Sequence, residues 1–407
     1  MRYAHIIGWG KYLPSRIMTN DEIGKLVDTS DEWIRKNTGI GQRRIAADNE
    51  STSTMATQAA IEALDTAGVS PSQIDQIIVA TATPEHFFPS VACLVQDALG
   101  ADHAGAFDLS AACSGFVYAL SVATDSIKAG NANNVLVIGA ETFSRIIDWK
   151  DRNTCILFGD GAGAVVLQGS DQPGGVLSTI LRSDGSGGEF LSVSANGNRP
   201  KSAFETGSTH DSHFVQMNGR EVFKFATRVV DRTLRDLCNK VGWETQDVDS
   251  VVPHQANIRI IESAAKLMGL PMEKFVVNLE KYGNTSAASI PIALCEAYES
   301  GRLRPNDKIL MIGFGGGLTW AAAAIQWSGQ RTANRTQRVV NRVGYSLTGI
   351  RSRARRLIRM AEDRVFGTED PALKTATAPA VAPPITPASA APIPALKVKE
   401  KEGEEAK

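Results

Sequence analysis

A layered α/β fold built from two similar halves is what the first 328 residues of this 407-residue chain predict. Three observations carry that expectation. Short β-branched runs alternate with longer helical stretches. Two distant segments repeat one pattern, an acidic lead-in to an apolar strand. The composition, 43% hydrophobic and 21% charged, is that of a globular enzyme with a large core.

The elements follow in order. Met1 to Gly8 reads as an immediate strand. Ser72-Gln73-Ile74-Asp75 leads into the strand Gln76 to Thr81, and Gly105 to Ser110 is strand-like before the apolar helical run Gly115 to Leu120. Asn134 to Gly139 forms another buried strand, and Ala164 to Leu167 follows a glycine-rich turn. In the second half Gln246-Asp247-Val248-Asp249 leads into Ser250 to His254. Asp307 to Gly313 then corresponds to Asn134 to Gly139, again followed by a glycine-rich turn and an apolar strand. The halves are placed at residues 1–172 and 173–328.

Beyond Ser328 the composition changes. Residues 331 to 366 hold ten arginines against Glu362 and Asp363, a local charge of +8 that leaves −9 for the remainder of a chain whose net charge is −1. Residues 329–370 are expected to form a basic amphipathic extension, with Ala354, Leu357, Ile358, Ala361 and Val365 on one helical face. Residues 371–407, Ala/Pro-rich and then charged, are expected to be disordered. An interfacial helix on anionic lipid is one reading of the extension, recruitment of an acidic carrier protein is a second, and a solvated or body-packed charge run is the third.

The five cysteines, Cys93, Cys113, Cys155, Cys238 and Cys295, are scattered and form no Cys-x-x-Cys pair. Neither a disulfide framework nor a zinc site is expected, no metal is assigned, and a reducing cytoplasm fits best. No signal-peptide block opens the chain and no apolar run is long enough to span a bilayer, which speaks against secretion and membrane insertion.

Three side chains suggest chemistry. Cys113 opens the helical run at Gly115, where free amides and the helix dipole are expected to lower its pKa; by itself it could equally be a small buried hydrophobe. His254 ends a buried strand, a usual place for reactive groups in α/β sheets. Asn284 sits beside Gly283, where it could simply cap the following helix. Together, cysteine, histidine and asparagine read as thioester chemistry. Phe314-Gly315-Gly316-Gly317 is either a tight turn or a place where backbone amides approach a reacting carbonyl. Phe158-Gly159-Asp160-Gly161-Ala162-Gly163 is followed by a strand and not a helix, so dinucleotide binding is rejected.

With these residues in place the chain closely resembles the β-ketoacyl-acyl carrier protein synthase III family of the thiolase superfamily, over nearly all of residues 1 to 328. The motifs carrying the resemblance are Thr29-Ser30-Asp31-Glu32-Trp33-Ile34, Ala111-Ala112-Cys113, Phe158 to Gly163, Pro253-His254-Gln255-Ala256-Asn257, Gly283-Asn284-Thr285-Ser286 and Phe314 to Gly317. The resemblance implies duplicated α/β halves in a five-layered α-β-α-β-α core, usually a homodimer. It implies an acyltransferase that needs no cofactor: Cys113 accepts an acyl group from a short acyl-CoA, acetyl-CoA being the expected primer, and malonyl-acyl carrier protein then decarboxylates and condenses with it. That reaction initiates fatty acid biosynthesis. His254 and Asn284 would stabilise the enolate oxygen, and the amides of Cys113 and Gly316 the tetrahedral oxyanion.

By the same resemblance Trp33 and Arg152 would sandwich the CoA adenine, and Thr29, Gly219, Phe223 and Asn257 would line the pantetheine tunnel. Lys224 and the segment Gln255, Ala256, Asn257, Ile258 and Arg259 would meet the carrier protein. Phe88 would reach into the acyl pocket of a partner subunit. The chain departs from the family at Asn37, commonly an arginine that contacts CoA, and in a longer segment from Ala195 to Ser212. Two other readings compete: a thiolase-fold synthase for a specialised lipid or polyketide starter, and a non-catalytic scaffold with a basic binding tail. Gly315-Gly316-Gly317, lacking the proline of plant-type polyketide synthases, and Phe88 argue against the first; the complete set Cys113, His254 and Asn284 argues against the second. No nucleic-acid partner is expected.

Overall fold

Two sheets carry the fold in a computed structural model that describes residues 2–194 and 214–329, together with Ala354, Leu357 and Ile358. The first contains β1 (Tyr3–Tyr12), β2 (Gln76–Ala80), β3 (Gly105–Leu109), β4 (Asn134–Glu141) and β5 (Gly161–Ser170), in the order β1-β5-β4-β2-β3. The second contains β6 (Gly175–Ser183), β7 (Ser250–Pro253), β8 (Lys308–Gly315) and β9 (Thr319–Gln326), in the order β7-β8-β9-β6. Read from its other edge, the second sheet repeats the first. The parallel pair β4–β2 is matched by β8–β7, and the antiparallel pairs β1–β5 and β5–β4 by β6–β9 and β9–β8. The counterpart of β3 is reduced to one parallel bridge between Val251 and Phe275.

The repeated acidic lead-in has a physical purpose. The Asp75 amide donates to the Asn134 carbonyl at 2.9 Å, and its carboxylate accepts from the Asn134 amide at 2.9 Å. Asp249 makes the same pair of bonds with Lys308, at 2.9 and 2.8 Å. Each aspartate therefore satisfies the first amide of the neighbouring parallel strand, where the ladder would leave a donor unpaired.

Seven helices of eight residues or more accompany these sheets among the described residues: α1 (Asp31–Thr38), α2 (Thr52–Ala67), α3 (Val91–Leu99), α4 (Gly115–Lys128), α5 (Gly219–Val241), α6 (Ile258–Met268) and α7 (Ser289–Glu299). Helices α4 and α7 lie between the sheets. Phe116, Val117 and Leu120 of α4 and Ile290, Ala293 and Leu294 of α7 share one core with Val135 and Val137 of β4 and Ile309 and Met311 of β8. The alternate strand residues face outward, Leu136 and Ile138 to α2 and α3, Leu310 and Ile312 to α5 and α6. That alternation produces the five-layered α-β-α-β-α arrangement. It also explains why both central helices are buried over most of their surface while α5 keeps a single buried stripe, Phe225, Val229, Val230, Leu234 and Leu237.

Among the described residues no helix is long and apolar enough to cross a membrane. The expectations for the segment from Ala195 to Ser212 and for nearly all of the extension from residue 330 fall outside the described residues; within that extension Ala354, Leu357 and Ile358 are helical and exposed.

Candidate active site

Each central helix is entered through a single 3-10 turn, Ala112–Ser114 before α4 and Ser286–Ala288 before α7. Both turns contain a residue with left-handed backbone that is not glycine, Ala112 at φ 46° and Ser286 at φ 48°. Such backbone costs about 1–3 kcal/mol and persists where surrounding structure holds it. The support crosses between the halves. A Cβ on Gly139 of β4 would lie 2.2 Å from the Ala287 carbonyl oxygen, and one on Gly313 of β8 would lie 2.9 Å from Ser114 Cα. Each half's central strand thus receives the other half's turn at glycine.

Cys113, His254 and Asn284 line one cavity of about 740 Å³. His254 follows β7, with its amide bonded to the Ile312 carbonyl at 2.8 Å and its ring edge-on to Phe314 at 5.1 Å between centroids. Its Nδ1 lies 2.7 Å from Ser289 Oγ, the first residue of α7. Burial drives the His254 pKa down to about 3, so the imidazole is neutral.

Asn284 is clamped by its backbone: its amide donates to Leu157 at 2.9 Å and its carbonyl accepts from Gly159 at 3.0 Å. Its Oδ1 accepts from the Ser286 amide at 2.8 Å, a local turn bond and not a cap of the helix, and this leaves the Nδ2 donors for the cavity it lines. The glycine-rich segment at 158–163 provides this clamp. A Cβ on Gly159 would sit 2.5 Å from the Tyr282 carbonyl, and Asp160 accepts from the amides of Ala46 and Ser144 at 2.7 and 2.8 Å.

One expectation is reversed. Cys113 is 3% exposed, and burial pushes its thiol up to about 12, with the nearby Glu141 charge adding to the rise. The helix start was expected to lower it; instead the cost of burying a thiolate among α4, α7 and β8 outweighs the favourable amides.

At the mouth, Trp33 is 41% exposed and the Arg152 guanidinium stacks on its indole at 4.2 Å. The helix bearing Trp33 is capped by Ser30, whose hydroxyl accepts from the Trp33 amide at 3.1 Å. Gly219, Phe223, Ala256 and Asn257 also line the cavity, as does Asn37. Asn37 Oδ1 accepts from Arg259 at 3.1 Å, while Asn257 donates to the Asn37 carbonyl at 3.1 Å. Gly315 lines the cavity, where a Cβ would come within 2.7 Å of the Cys113 nitrogen; Gly316 is the next residue, beside the Leu191 carbonyl and Ala112. Thr29, Lys224, Ile258 and Arg259 lie outside the lining; Lys224 and Arg259 are exposed, and Lys224 pairs with Glu221 at 2.7 Å.

Gln255 needs correction as a carrier-protein contact. It is 1% exposed, donates to the carbonyls of Pro253 and Val276 and accepts from the Asn278 amide, so its amide is consumed in holding the strand end. Phe88 lies apart from the cavity and is 87% exposed. Nothing in the sequence gives Ser289 a role, although it lies only five residues beyond Asn284; the fold brings it to His254.

The chain's residues 107–185 match the model of 3-oxoacyl-[acyl-carrier-protein (ACP)] synthase III, and residues 238–327 match its C-terminal model. It is 49% identical to the β-ketoacyl-[acyl-carrier-protein] synthase III of Clostridium perfringens over 326 residues, 80% of this chain and 100% of that protein. It is 51% identical to that of Caldanaerobacter subterraneus, over 80% of this chain and 98% of the relative. The crystal structure of 3-oxoacyl-[acyl-carrier-protein] synthase III from Aquifex aeolicus superposes with a TM-score of 0.74 at 49% identity, covering 80% of this chain and all of that one. The chain belongs to the β-ketoacyl-[acyl-carrier-protein] synthase III family.

Proposed function

We propose that in this member of the family Cys113 accepts an acyl group from a short acyl-CoA and passes it to the carbanion formed from malonyl-acyl carrier protein. The enzyme is an acyltransferase that performs the initiating condensation of fatty acid biosynthesis. One observation carries the assignment of residues: Cys113, neutral His254 and an Asn284 whose carbonyl is already engaged converge on a single cavity. We assign Ser289 as the donor in its 2.7 Å contact with Nδ1, which places the His254 proton on Nε2. Nε2–H and Asn284 Nδ2–H then donate to the malonyl thioester oxygen as negative charge develops on loss of carbon dioxide. The electron pair released from that C–C bond makes the new one, so no cofactor is needed. Amides at Cys113 and Gly316 serve the tetrahedral oxyanion.

Trp33 and Arg152 bind the adenine of CoA. Because they stack on each other at 4.2 Å, Arg152 must withdraw to admit a purine between them. Thr29, Gly219, Phe223 and Asn257 guide the pantetheine, and Lys224, Ala256, Ile258 and Arg259 face the carrier protein, with Lys224 and Arg259 meeting its acidic surface. Asn37 contributes by holding Arg259 at the mouth. Phe87 and Phe88 are 73% and 87% exposed, and Phe107 is exposed on the edge strand β3. A second copy of the chain would cover these rings, which supports a homodimer in which Phe88 of one protomer limits its partner's acyl pocket. A cytoplasmic location keeps the Cys113 thiol reduced.

Intact-mass spectrometry after incubation with mixed acyl-CoAs tests the assignment. A short acyl adduct that maps to Cys113 is expected, and Phe88→Ala should admit longer chains. An adduct on Cys93, Cys155, Cys238 or Cys295 overturns the nucleophile.

A further inference from the structure

If His254 keeps its Nε2 proton to serve as a donor, the proton that Cys113 loses on acylation needs another acceptor. Glu141, the last residue of β4, is fully buried. Its carboxylate accepts from Thr83 Oγ1 at 2.7 Å, the Ala82 amide at 3.1 Å, Thr81 Oγ1 at 3.3 Å and the Ala287 amide at 3.4 Å. These donors belong to the loop after β2 and the turn before α7. The turns of the two halves pack together, and a Cβ on Gly115, the first residue of α4, would be 3.8 Å from Ala287 Cβ.

Ser286 belongs to both sides of this junction. Its hydroxyl is fully buried with no settled hydrogen bond, in the turn that packs on the Cys113 turn and one residue before the Ala287 amide that donates to Glu141; from there it lowers the proton affinity of both groups. An unpartnered buried hydroxyl is costly unless it has a use. Resting on the assignment of Cys113 as acyl acceptor, we propose that Ser286 and Glu141 form a buried relay that takes the Cys113 proton during acylation and returns it after condensation.

The step balances. The thiol proton passes to the Ser286 oxygen as that hydroxyl's own proton passes to the Glu141 carboxylate. The freed sulfur forms the bond to the acyl carbon as the bond to CoA sulfur breaks, and CoA departs with the electron pair and takes a proton from solvent. When the carbanion later displaces Cys113 as thiolate, the stored proton returns by the reverse route. Burial raises Glu141 to about 7, a proton affinity suited to lending and borrowing near neutrality. Facing it are Thr81, Ala82 and Thr83 from the loop, Ser286 and Ala287 from the turn, and Cys113, the titratable group of this set. Ser286 and Glu141 act through Cys113 and are positioning residues.

The test times acylation of Cys113 by acetyl-CoA and decarboxylation of malonyl-acyl carrier protein separately, in the full-length enzyme from mildly acid to mildly alkaline pH. Wild-type acylation should rise through pH about 7. Glu141→Gln should slow acylation on the order of 10²-fold, flatten that rise and spare decarboxylation; Ser286→Ala should behave likewise, and Glu141→Asp, which keeps the carboxylate, should recover part of the rate. Wild-type acylation or equal loss of both half-reactions in Glu141→Gln overturns the relay. Should the variants not fold, a proton inventory on the wild type in mixed light and heavy water decides: two protons in flight give a curved plot, and a straight one refutes the relay. A wild-type enzyme that carries no acyl group on Cys113 refutes the parent assignment instead.

Discussion

The segments from Ala111 to Gly115 and from Thr285 to Ser289 occupy corresponding places in the two halves. Each bends through a left-handed residue, turns once and enters a central helix, and each leans on a glycine of the opposite sheet. Their chemistry has nevertheless parted. The first presents a thiol, while the second presents hydroxyls at Ser286 and Ser289, the latter set against His254, and follows directly on the carboxamide of Asn284. The two halves hold equivalent frames facing one another, and on the proposed assignment one carries the group that is acylated while the other carries the groups that stabilise charge.

The sharpest way to test this division is to remove the donors. His254→Ala and Asn284→Ala should each slow decarboxylation of malonyl-acyl carrier protein by about 10²- to 10³-fold, the cost of losing one oxyanion donor. Acylation of Cys113 should fall far less. Rapid-quench timing of the two half-reactions measures both, and parallel losses would mean that the second frame also serves the thiol directly.

Next in size are the glycines that join the frames. Gly139→Ala and Gly313→Ala each force a Cβ into the opposite turn, at 2.2 Å from a carbonyl oxygen in the first and 2.9 Å from a Cα in the second. Overpacking of this kind costs about 1–3 kcal/mol or more. Denaturant titration should rank Gly139→Ala below Gly313→Ala. The reverse order would show that the nucleophile's frame is the stiffer of the two.

A third contrast is between two buried titratable groups. His254 is depressed to about 3, so the folded state refuses a proton that the unfolded chain accepts. Its contribution to stability is therefore complete above its ordinary pKa near 6.5 and is lost as pH falls below that toward 3. Between pH 7 and 5 this removes roughly 2 kcal/mol. Glu141 has the opposite sign: raised to about 7, it favours the folded state below its ordinary range, and that contribution is lost as pH rises through 7. Denaturant midpoints of wild type and His254→Gln at pH 7 and 5 should converge on acidification; a constant gap would contradict the neutral, buried imidazole.

Much of this architecture can be read from residue order alone, because its causes are local. Asp75 and Asp249 announce the strands they pin, and alternation in Val135-Leu136-Val137-Ile138 fits a strand buried on both faces. Cys113, His254 and Asn284 are legible because small residues surround each of them. What cannot be read arises from distant segments meeting. The rise in the Cys113 pKa depends on burial by α7 and β8, and the consumption of Gln255 depends on Val276 and Asn278. The pairing of Ser289 with His254 spans 35 residues. Glu141 leaves one trace, a carboxylate closing the apolar run Val135 to Ala140, a place where a charge is costly without a partner or a task.

The smallest expected effect separates the frames at their strained residues. Ala112→Gly removes the penalty of a left-handed alanine, about 1–2 kcal/mol, but adds freedom to the unfolded chain worth about 0.5–1 kcal/mol. A net stabilisation of about 0.5 kcal/mol should remain. Ser286→Gly relieves similar strain and also deletes a buried hydroxyl that has no hydrogen-bond partner, whose burial costs about 1–3 kcal/mol. It should therefore be the more stable of the two variants, yet the slower in acylating Cys113. Stability gained together with acylation lost is what a group retained for chemistry predicts, whereas a Ser286→Gly enzyme less stable than Ala112→Gly would assign that hydroxyl to packing. Thermal or denaturant midpoints measured beside the acylation rate distinguish these outcomes in a single pair of proteins.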